Sequence, residues 1–174
     1  MNVKRVVVGD LRENCYIIEK DNKCLIVDPG DEFSKIKEQI VFPVIGILIT
    51  HRHFDHIGAL ESLVSEYRVP IYEMINTLEE TYEIGPFNFN VIYTPGHTSD
   101  SITFYFFKDG VMFTGDFLFK GTIGRCDLET SDEDEMRDSL EKIKKYKDNI
   151  SIYPGHGEST TLLNEKEKNI YFNM

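Results

Sequence analysis

The 174 residues, 41% hydrophobic and 28% charged, have the size and make-up of one globular domain, residues 1–174, with a sizeable core. Thirty acidic against 19 basic residues give a net charge of -11, which argues against binding nucleic acid or an anionic membrane surface. No apolar run approaches the roughly 18 residues of a membrane span and no signal-peptide core opens the sequence, so the expected location is cytoplasmic.

In chain order, Val3 to Val8 is a β-branched run ending at Gly9-Asp10, a strand and its turn. Cys15 to Ile18 and Cys24 to Val27 are two further strands joined through Asp21-Asn22-Lys23, a turn of hairpin type. Asp28-Pro29-Gly30 stops the third strand, and Phe33, Ile36, Lys37 and Ile40 give helical spacing over about Glu32 to Val41. Val44 to Ile49 is nearly all apolar, the pattern of a strand covered on both faces. Ile57, Leu60, Leu63 and Val64 mark one helix ending near Tyr67, and Ile71-Tyr72 is a short strand. Met74 to Glu83 carries no firm pattern. Phe87 to Tyr93 alternates apolar and polar residues, and Ile102 to Phe107 pairs with Val111 to Thr114 across Lys108-Asp109-Gly110. Ser131 to Tyr146 is a helix with Ser131 as N-cap, Met136, Leu140 and Ile143 on one face, and termini charged to suit its dipole. Ile150 to Tyr153 is the last strand, and a short helix begins near Thr161. The cysteines, Cys15, Cys24 and Cys126, are odd in number and form no C-x-x-C pair, which argues against a disulfide framework.

The strand at Val44 delivers the chain into Thr50-His51-Arg52-His53-Phe54-Asp55-His56-Ile57-Gly58, which holds three of the five histidines and a carboxylate within six residues. His97 and His156 each follow an apolar strand and a Pro-Gly pair, and Asp116 follows a strand and a glycine. A lone histidine in such a turn would be a satisfied hydrogen-bonding residue. Several at strand ends instead build a site on one rim of a rigid sheet. Imidazole with carboxylate suits zinc, iron or manganese, whereas magnesium and calcium prefer all-oxygen shells. His51 and His53 share one side of an extended segment, while Asp55 and His56 at a helix entrance reach a neighbouring point. Four ligands on one loop exceed the needs of one open catalytic metal, so two divalent metals are expected.

These motifs, in their order, resemble the metallo-β-lactamase superfamily. Its H-x-H-x-D-H signature stands here as His51, His53, Asp55 and His56, followed by Thr94-Pro95-Gly96-His97-Thr98, Thr114-Gly115-Asp116 and Tyr153-Pro154-Gly155-His156-Gly157. The resemblance spans nearly the whole chain. It implies an α+β fold, an αββα sandwich of two mixed sheets flanked by helices. It also implies a first metal on His51, His53 and His97, a second on Asp55, His56 and His156, and a bridging Asp116. Zinc is the metal expected, with iron or manganese as alternatives. Within the superfamily the chain is similar to glyoxalase II-like hydrolases, the hydroxyacylglutathione hydrolases. Gly115-Asp116-Phe117-Leu118-Phe119 and Gly124-Arg125-Cys126-Asp127 look like their G-D-x-L-F…G-R-x-D stretch, and Thr160-Thr161-Leu162, Glu165 and Asn169 are similar to their closing motif. Two departures concern the thiol carrier: the sequence stops where glyoxalase II carries a further helical domain, and Ser99-Asp100 replaces a common Pro-Gly.

The activity implied is hydrolysis of a small anionic thioester by a dinuclear-metal hydroxide. Asp55 and Asp116 belong to the catalytic group, and Arg125 with Lys120 would meet the anionic acyl or thiol moiety. Arg52 is expected to be solvated surface charge and Cys126 a plain loop residue. A mononuclear-iron persulfide dioxygenase shares the G-R-x-D stretch and is the alternative. A non-catalytic binding module would tolerate lost ligands, and all seven are present. The best-known β-lactamases use cysteine at the position of Asp116, which argues against that chemistry.

Overall fold

The computed structural model describes residues 1–173. Its first half runs β1 Asn2–Val8, β2 Glu13–Lys20, β3 Lys23–Val27, α1 Phe33–Gln39, β4 Val44–Leu48, α2 Phe54–Ile57, α3 Leu60–Tyr67 and β5 Ile71–Tyr72. The second half begins with β6 Thr81–Ile84, β7 Phe87–Tyr93, β8 Ile102–Phe106, β9 Val111–Gly115, β10 Leu118–Phe119 and β11 Thr122–Ile123. It closes with α4 Glu133–Lys144, β12 Ser151–Pro154, β13 Thr160–Thr161 and α5 Leu162–Lys168.

One sheet has the order β1-β2-β3-β4-β5, the other β13-β12-β9-β8-β7-β6, and β10 and β11 pair by themselves. Both large sheets are mixed: β3-β4-β5 and β9-β12 are parallel contacts in otherwise antiparallel ladders. The tight turn between β2 and β3 is carried by Asp21 and Asn22, both at positive φ (46° and 58°), as a two-residue hairpin loop requires.

Period-two alternation sorts the core into three layers. In β2, Cys15 and Ile17 pack with Ile26, Ile47, Ile36 and Leu63 against the helices α1 and α3. Tyr16 and Ile18 face the other way, meeting Leu25, Leu48, Phe89, Phe104 and Phe113 between the sheets. Met112 and Ile152 point out from the second sheet onto Met136, Leu140, Ile143 and Leu162 of α4 and α5. This is the αββα sandwich expected. Cys15, Cys24 and Cys126 are all free thiols.

Two local expectations need correction, and one stretch without a firm pattern takes shape. The helix expected from Ile57 is split into α2 and α3, because Gly58 and Ala59 lie against the Pro29-Gly30 turn: Ala59 N donates to Pro29 O at 2.9 Å. The cap of α4 is Asp132, whose side chain accepts from the backbone N–H groups of Asp134 and Glu135, while Ser131 Oγ donates to His97 O. Met74 to Glu83 resolves into a 3₁₀ turn at Met74–Asn76 and the edge strand β6.

Strand direction is what places the site. β3 runs parallel to β4, β9 runs parallel to β12, and β7 runs with β9 because each is antiparallel to β8. The C-terminal ends of these five strands therefore deliver Asp28, the His51–His56 loop, Asp116, His156 and His97. Ile102 N, which donates to Thr50 O at 2.9 Å, ties the two sheets together at that rim.

Candidate metal centre

The seven expected ligands come together in two groups. His51, His53, His97 and Asp116 form one, and Asp55, His56 and His156 the other; within each group the ligand atoms lie within 4.8 Å of one another. In the first, His53 Nδ1 is 3.1 Å from His51 Nε2 and 3.0 Å from His97 Nε2. Those spacings approach the edge, about 3.3 Å, of a tetrahedron with metal–nitrogen distances of about 2.0 Å. In the second, His156 Nε2 is 3.2 Å and His56 Nε2 3.9 Å from Asp55 Oδ2. Asp116 straddles both: Oδ1 is 3.3 Å from His56 Nε2, and Oδ2 is 3.6 Å from His97 Nε2 and from His156 Nε2.

Fit to a cation is tested by the polar atoms left over. Among the described residues, His56 Nε2 and Asp116 Oδ1 are buried without a hydrogen-bond partner. Orphaned buried atoms are costly unless something unseen satisfies them, and here a lone pair and a carboxylate oxygen converge. A side chain at position 155 would close this space, since a Cβ on Gly155 would lie 2.3 Å from Asp116 Oδ1 and 2.5 Å from His56 Cε1.

Each buried imidazole is aimed from behind. Thr50 Oγ1 donates to Asp28 Oδ2 at 2.6 Å, which leaves its lone pair for His51 Nδ1–H at 3.1 Å. His56 Nδ1–H donates to the same Asp28 Oδ2 at 3.1 Å, and His97 Nδ1–H donates to Arg125 O at 2.9 Å. In all three the proton is held on Nδ1, so Nε2 offers its lone pair, the arrangement that orients metal-binding histidines.

Electrostatics differ between the groups. Burial, reinforced by the neighbouring imidazoles His56, His53 and His97, pushes His51 well below the usual histidine range, and burial beside His97 lowers His53. Burial would also lower His56, but the adjacent carboxylates of Asp116 and Asp28 outweigh it and raise its pKa well above that range. A hydrogen bond to Asp55 raises His156. Burial opposes ionisation of Asp55 and Asp116, yet contacts with His156 and His56 hold both carboxyls low.

Three contributors escaped the sequence reading. Asp28 accepts from Thr50 N and Oγ1 as well as from His56. It stands at the end of an apolar strand beside a Pro-Gly pair, as His97 and His156 do, although it precedes the pair where they follow it. Thr50 is its partner. Glu13 lies 1% exposed beside His56, its Oε1 3.9 Å from Nδ1, and burial raises its pKa well above the carboxylate range. Next to it, Asn14 pins the His156 loop through Pro154 O and Gly157 O, each at 3.0 Å.

The three cations near the ligand loops, Arg125, Lys120 and Arg52, are each paired with a carboxylate. The Arg125 guanidinium forks onto Asp127 at 2.6 and 2.8 Å, and Lys120 pairs with Glu158. The Arg125 side chain lines a groove of about 400 Å³ with Ile123, Cys126, Met136 and Tyr171, and none of the seven ligands lines it. The tie from Arg125 to the metal centre is its carbonyl. That approach needs Gly124, where a Cβ would fall 1.8 Å from Asp116 O. Arg52, expected to be solvated charge, is bidentate to the mostly buried Glu73 at 2.6 and 2.8 Å. Asp100, one of the two departures, accepts from Arg52 N at 3.1 Å and so braces the histidine loop.

Among the described residues no helix is long and apolar enough to cross a membrane. The Lactamase_B profile, described as the metallo-beta-lactamase superfamily, matches residues 8–81 and 76–156. A probable metallo-hydrolase, YqgX of Bacillus subtilis, is 32% identical, with 99% of this chain aligned to 98% of that protein. Hydroxyacylglutathione hydrolase GloC of Haemophilus influenzae is 30% identical over 99% of each. Among solved structures, the BLEG-1 B3 metallo-beta-lactamase superposes with a TM-score of 0.93 at 28% identity, covering 99% of this chain and 100% of that one. A di-iron-bound form of TTHA1623 gives 0.87 at 30% identity, over 96% and 98%. With the profile spanning most of its length and the ligand groups in place, the chain belongs to the metallo-beta-lactamase superfamily.

Proposed function

We propose that this protein is a dinuclear metallo-hydrolase that cleaves small anionic thioesters. One observation carries the dinuclear reading: the Asp116 carboxylate lies between the two ligand groups, Oδ2 3.6 Å from His97 Nε2 of the first, and Oδ1 3.3 Å from His56 Nε2 and Oδ2 3.6 Å from His156 Nε2 of the second. His51, His53 and His97 would hold the first ion, Asp55, His56 and His156 the second, and Asp116 both. When bound, such a pair supplies a water acidified toward neutrality and electrophilic assistance at a carbonyl.

The chain's own groups do the rest. Asp28, Thr50 and the Arg125 carbonyl keep the ring protons on Nδ1 and so prevent the imidazoles from turning away. Asp55 and Asp116 remain ionised in a largely buried setting because the neighbouring histidines stabilise their charge. Arg125 and Lys120, on the loop after Asp116, would meet the substrate's negative end. Both sit in exposed ion pairs, which exchange one carboxylate for another at little cost. A thioester suits such a site because a thiolate leaves readily and needs little protonation. The hydroxyacylglutathione hydrolase among the relatives and the stretch from Gly115 to Asp127 support this substrate class.

The test is a substrate panel with the metal-loaded enzyme: a hydroxyacyl-glutathione thioester, a neutral alkyl thioester, a β-lactam, and a persulfide followed by oxygen uptake. The anionic thioester should be turned over fastest. Oxygen uptake with persulfide, together with one iron per chain, would make the protein a mononuclear oxygenase instead. Preferential opening of the β-lactam would replace the thioester reading.

A further inference from the structure

Away from the metal centre, one carboxylate among the described residues is wholly enclosed. Glu165 in α5 has 0% exposure, and four donors surround it. Oε1 accepts from Thr160 Oγ1 at 2.6 Å and Asn164 Nδ2 at 2.9 Å. Oε2 accepts from Gly121 N at 2.7 Å and Asn169 Nδ2 at 2.9 Å, and Asn169 Nδ2 also donates to Thr122 O at 3.1 Å. A buried carboxylate is costly unless donors replace its water, and here every hydrogen-bond contact is a donor. Helix α5 does not need it as a cap, since Thr161 accepts from Asn164 N.

The bonds to Gly121 and Thr122 lead back to the site. These residues form the tip of the β10–β11 hairpin, whose base is closed by Gly124 N donating to Phe117 O at 3.2 Å. Flanking that base are Asp116, between the ligand groups, and Arg125, whose carbonyl holds His97. Near the tip, the half-buried Phe119 ring stands edge-on to the His156 ring, with centroids 6.3 Å apart. Lys120 reaches across to Glu158, two residues past His156. Thr160 pairs with Ile152 of β12, the strand that leads to His156. Glu165 therefore joins the segment after Asp116 to the segment after His156, the two loops that edge the second ligand group.

We infer that Glu165 is a positioning residue for substrate binding: by locking the hairpin tip, it holds Phe119 and Lys120 at the edge of the second ligand group. There Phe119 offers an apolar ring and Lys120 a positive charge to an anionic thioester. Glu165 acts through the hairpin, not by contact with the substrate. The inference rests on the thioester reading proposed above.

The test measures kcat and KM of the zinc-loaded enzyme for a hydroxyacyl-glutathione thioester and a neutral alkyl thioester. Glu165→Met keeps the bulk and removes the acceptors. Glu165→Gln still offers an oxygen to Gly121 N and an amide to the Thr160 hydroxyl. Gly121→Val strains the tip from the solvent side, because Gly121 has a φ of 78° while a Cβ there meets nothing within 4 Å. It leaves the buried cluster intact should Glu165→Met fail to fold.

Glu165→Met and Gly121→Val should each raise KM for the anionic thioester about tenfold, with kcat and zinc content kept. Glu165→Gln should stay near wild type. In a Lys120→Ala background Gly121→Val should add little, because both changes remove the same contact. On chelator-stripped protein the Gly121 amide should exchange slowly in wild type and about tenfold faster in Glu165→Met. Wild-type KM in Gly121→Val, full additivity with Lys120→Ala, or equal losses of kcat on both thioesters would each overturn the inference. Fast exchange at Gly121 in wild type would do the same. A wild type without preference for the anionic thioester would instead overturn the reading on which the inference rests.

Discussion

The two ligand groups meet at Asp116 yet are built on opposite terms. The first draws three imidazoles from the ends of β4 and β7, and burial keeps His51 and His53 below the usual range and therefore neutral. The second is rich in carboxylate: His56 is raised by Asp116 and Asp28, and His156 by Asp55. Near neutral pH a cation entering the first group displaces no proton from His51 or His53. A cation entering the second competes with protons that the same carboxylates stabilise. The two groups, one built on imidazoles and the other with a carboxylate among its ligands, are therefore expected to differ in metal affinity.

Breaking the link between the groups has the largest effect. Asp116→Ala removes the one side chain that serves both, so turnover should fall roughly a thousandfold or more, with at least one ion lost on elemental analysis. Near-normal turnover would mean that the groups work independently. Next comes Asp28→Asn, which keeps the shape but loses an acceptor shared by Thr50 and His56. Metal affinity should fall about ten- to a hundredfold at the second group, which Asp28 touches directly, and less at the first, reached through Thr50. Equal losses in a chelator titration would erase the asymmetry.

Acidification sharpens the comparison without mutation. His156 has a raised pKa, so as pH falls toward that value protons occupy its ring and oppose the cation, while His51 and His53, with lowered pKa values, take up protons only at lower pH. The second group should therefore empty first, seen as a two-step metal release in a pH titration. The smallest effect belongs to Arg125→Ala. Its side chain pairs with Asp127 in full contact with solvent, where such a pair adds little to stability, and its carbonyl, untouched by the substitution, holds His97. Metal content and melting temperature should stay put, while kcat/KM for an anionic thioester drops about tenfold relative to a neutral one. A loss of metal would show that the loop, not the charge, had been disturbed.

Much of this architecture was legible in the sequence. Alternation along Cys15–Ile18 and Phe87–Tyr93 announces two-faced strands, and the structure divides those faces between layers. The seven ligands stood out because His51, His53, Asp55 and His56 crowd into six residues and His97, His156 and Asp116 each follow a strand and a glycine, and the fold brings those ends to one rim. Asp28, Thr50 and Glu13 were not legible as site residues. Their contribution depends on tertiary contacts across elements, Asp28 with Thr50 and His56 and Glu13 beside His56, and a carboxylate at the end of a buried strand looks the same whether it faces water or a ring. The helix break at Gly58 was hidden for the same reason, since it depends on the turn at Pro29-Gly30 packing against it.

The most direct test of the central claim is elemental analysis of the purified protein equilibrated with a divalent metal at neutral pH and at stepped lower pH values. Close to two ions per chain at neutral pH, falling to one on a plateau before the second is lost, is the predicted result. A single ion per chain throughout, or two released in one step, would contradict a pair of unequal subsites joined at Asp116.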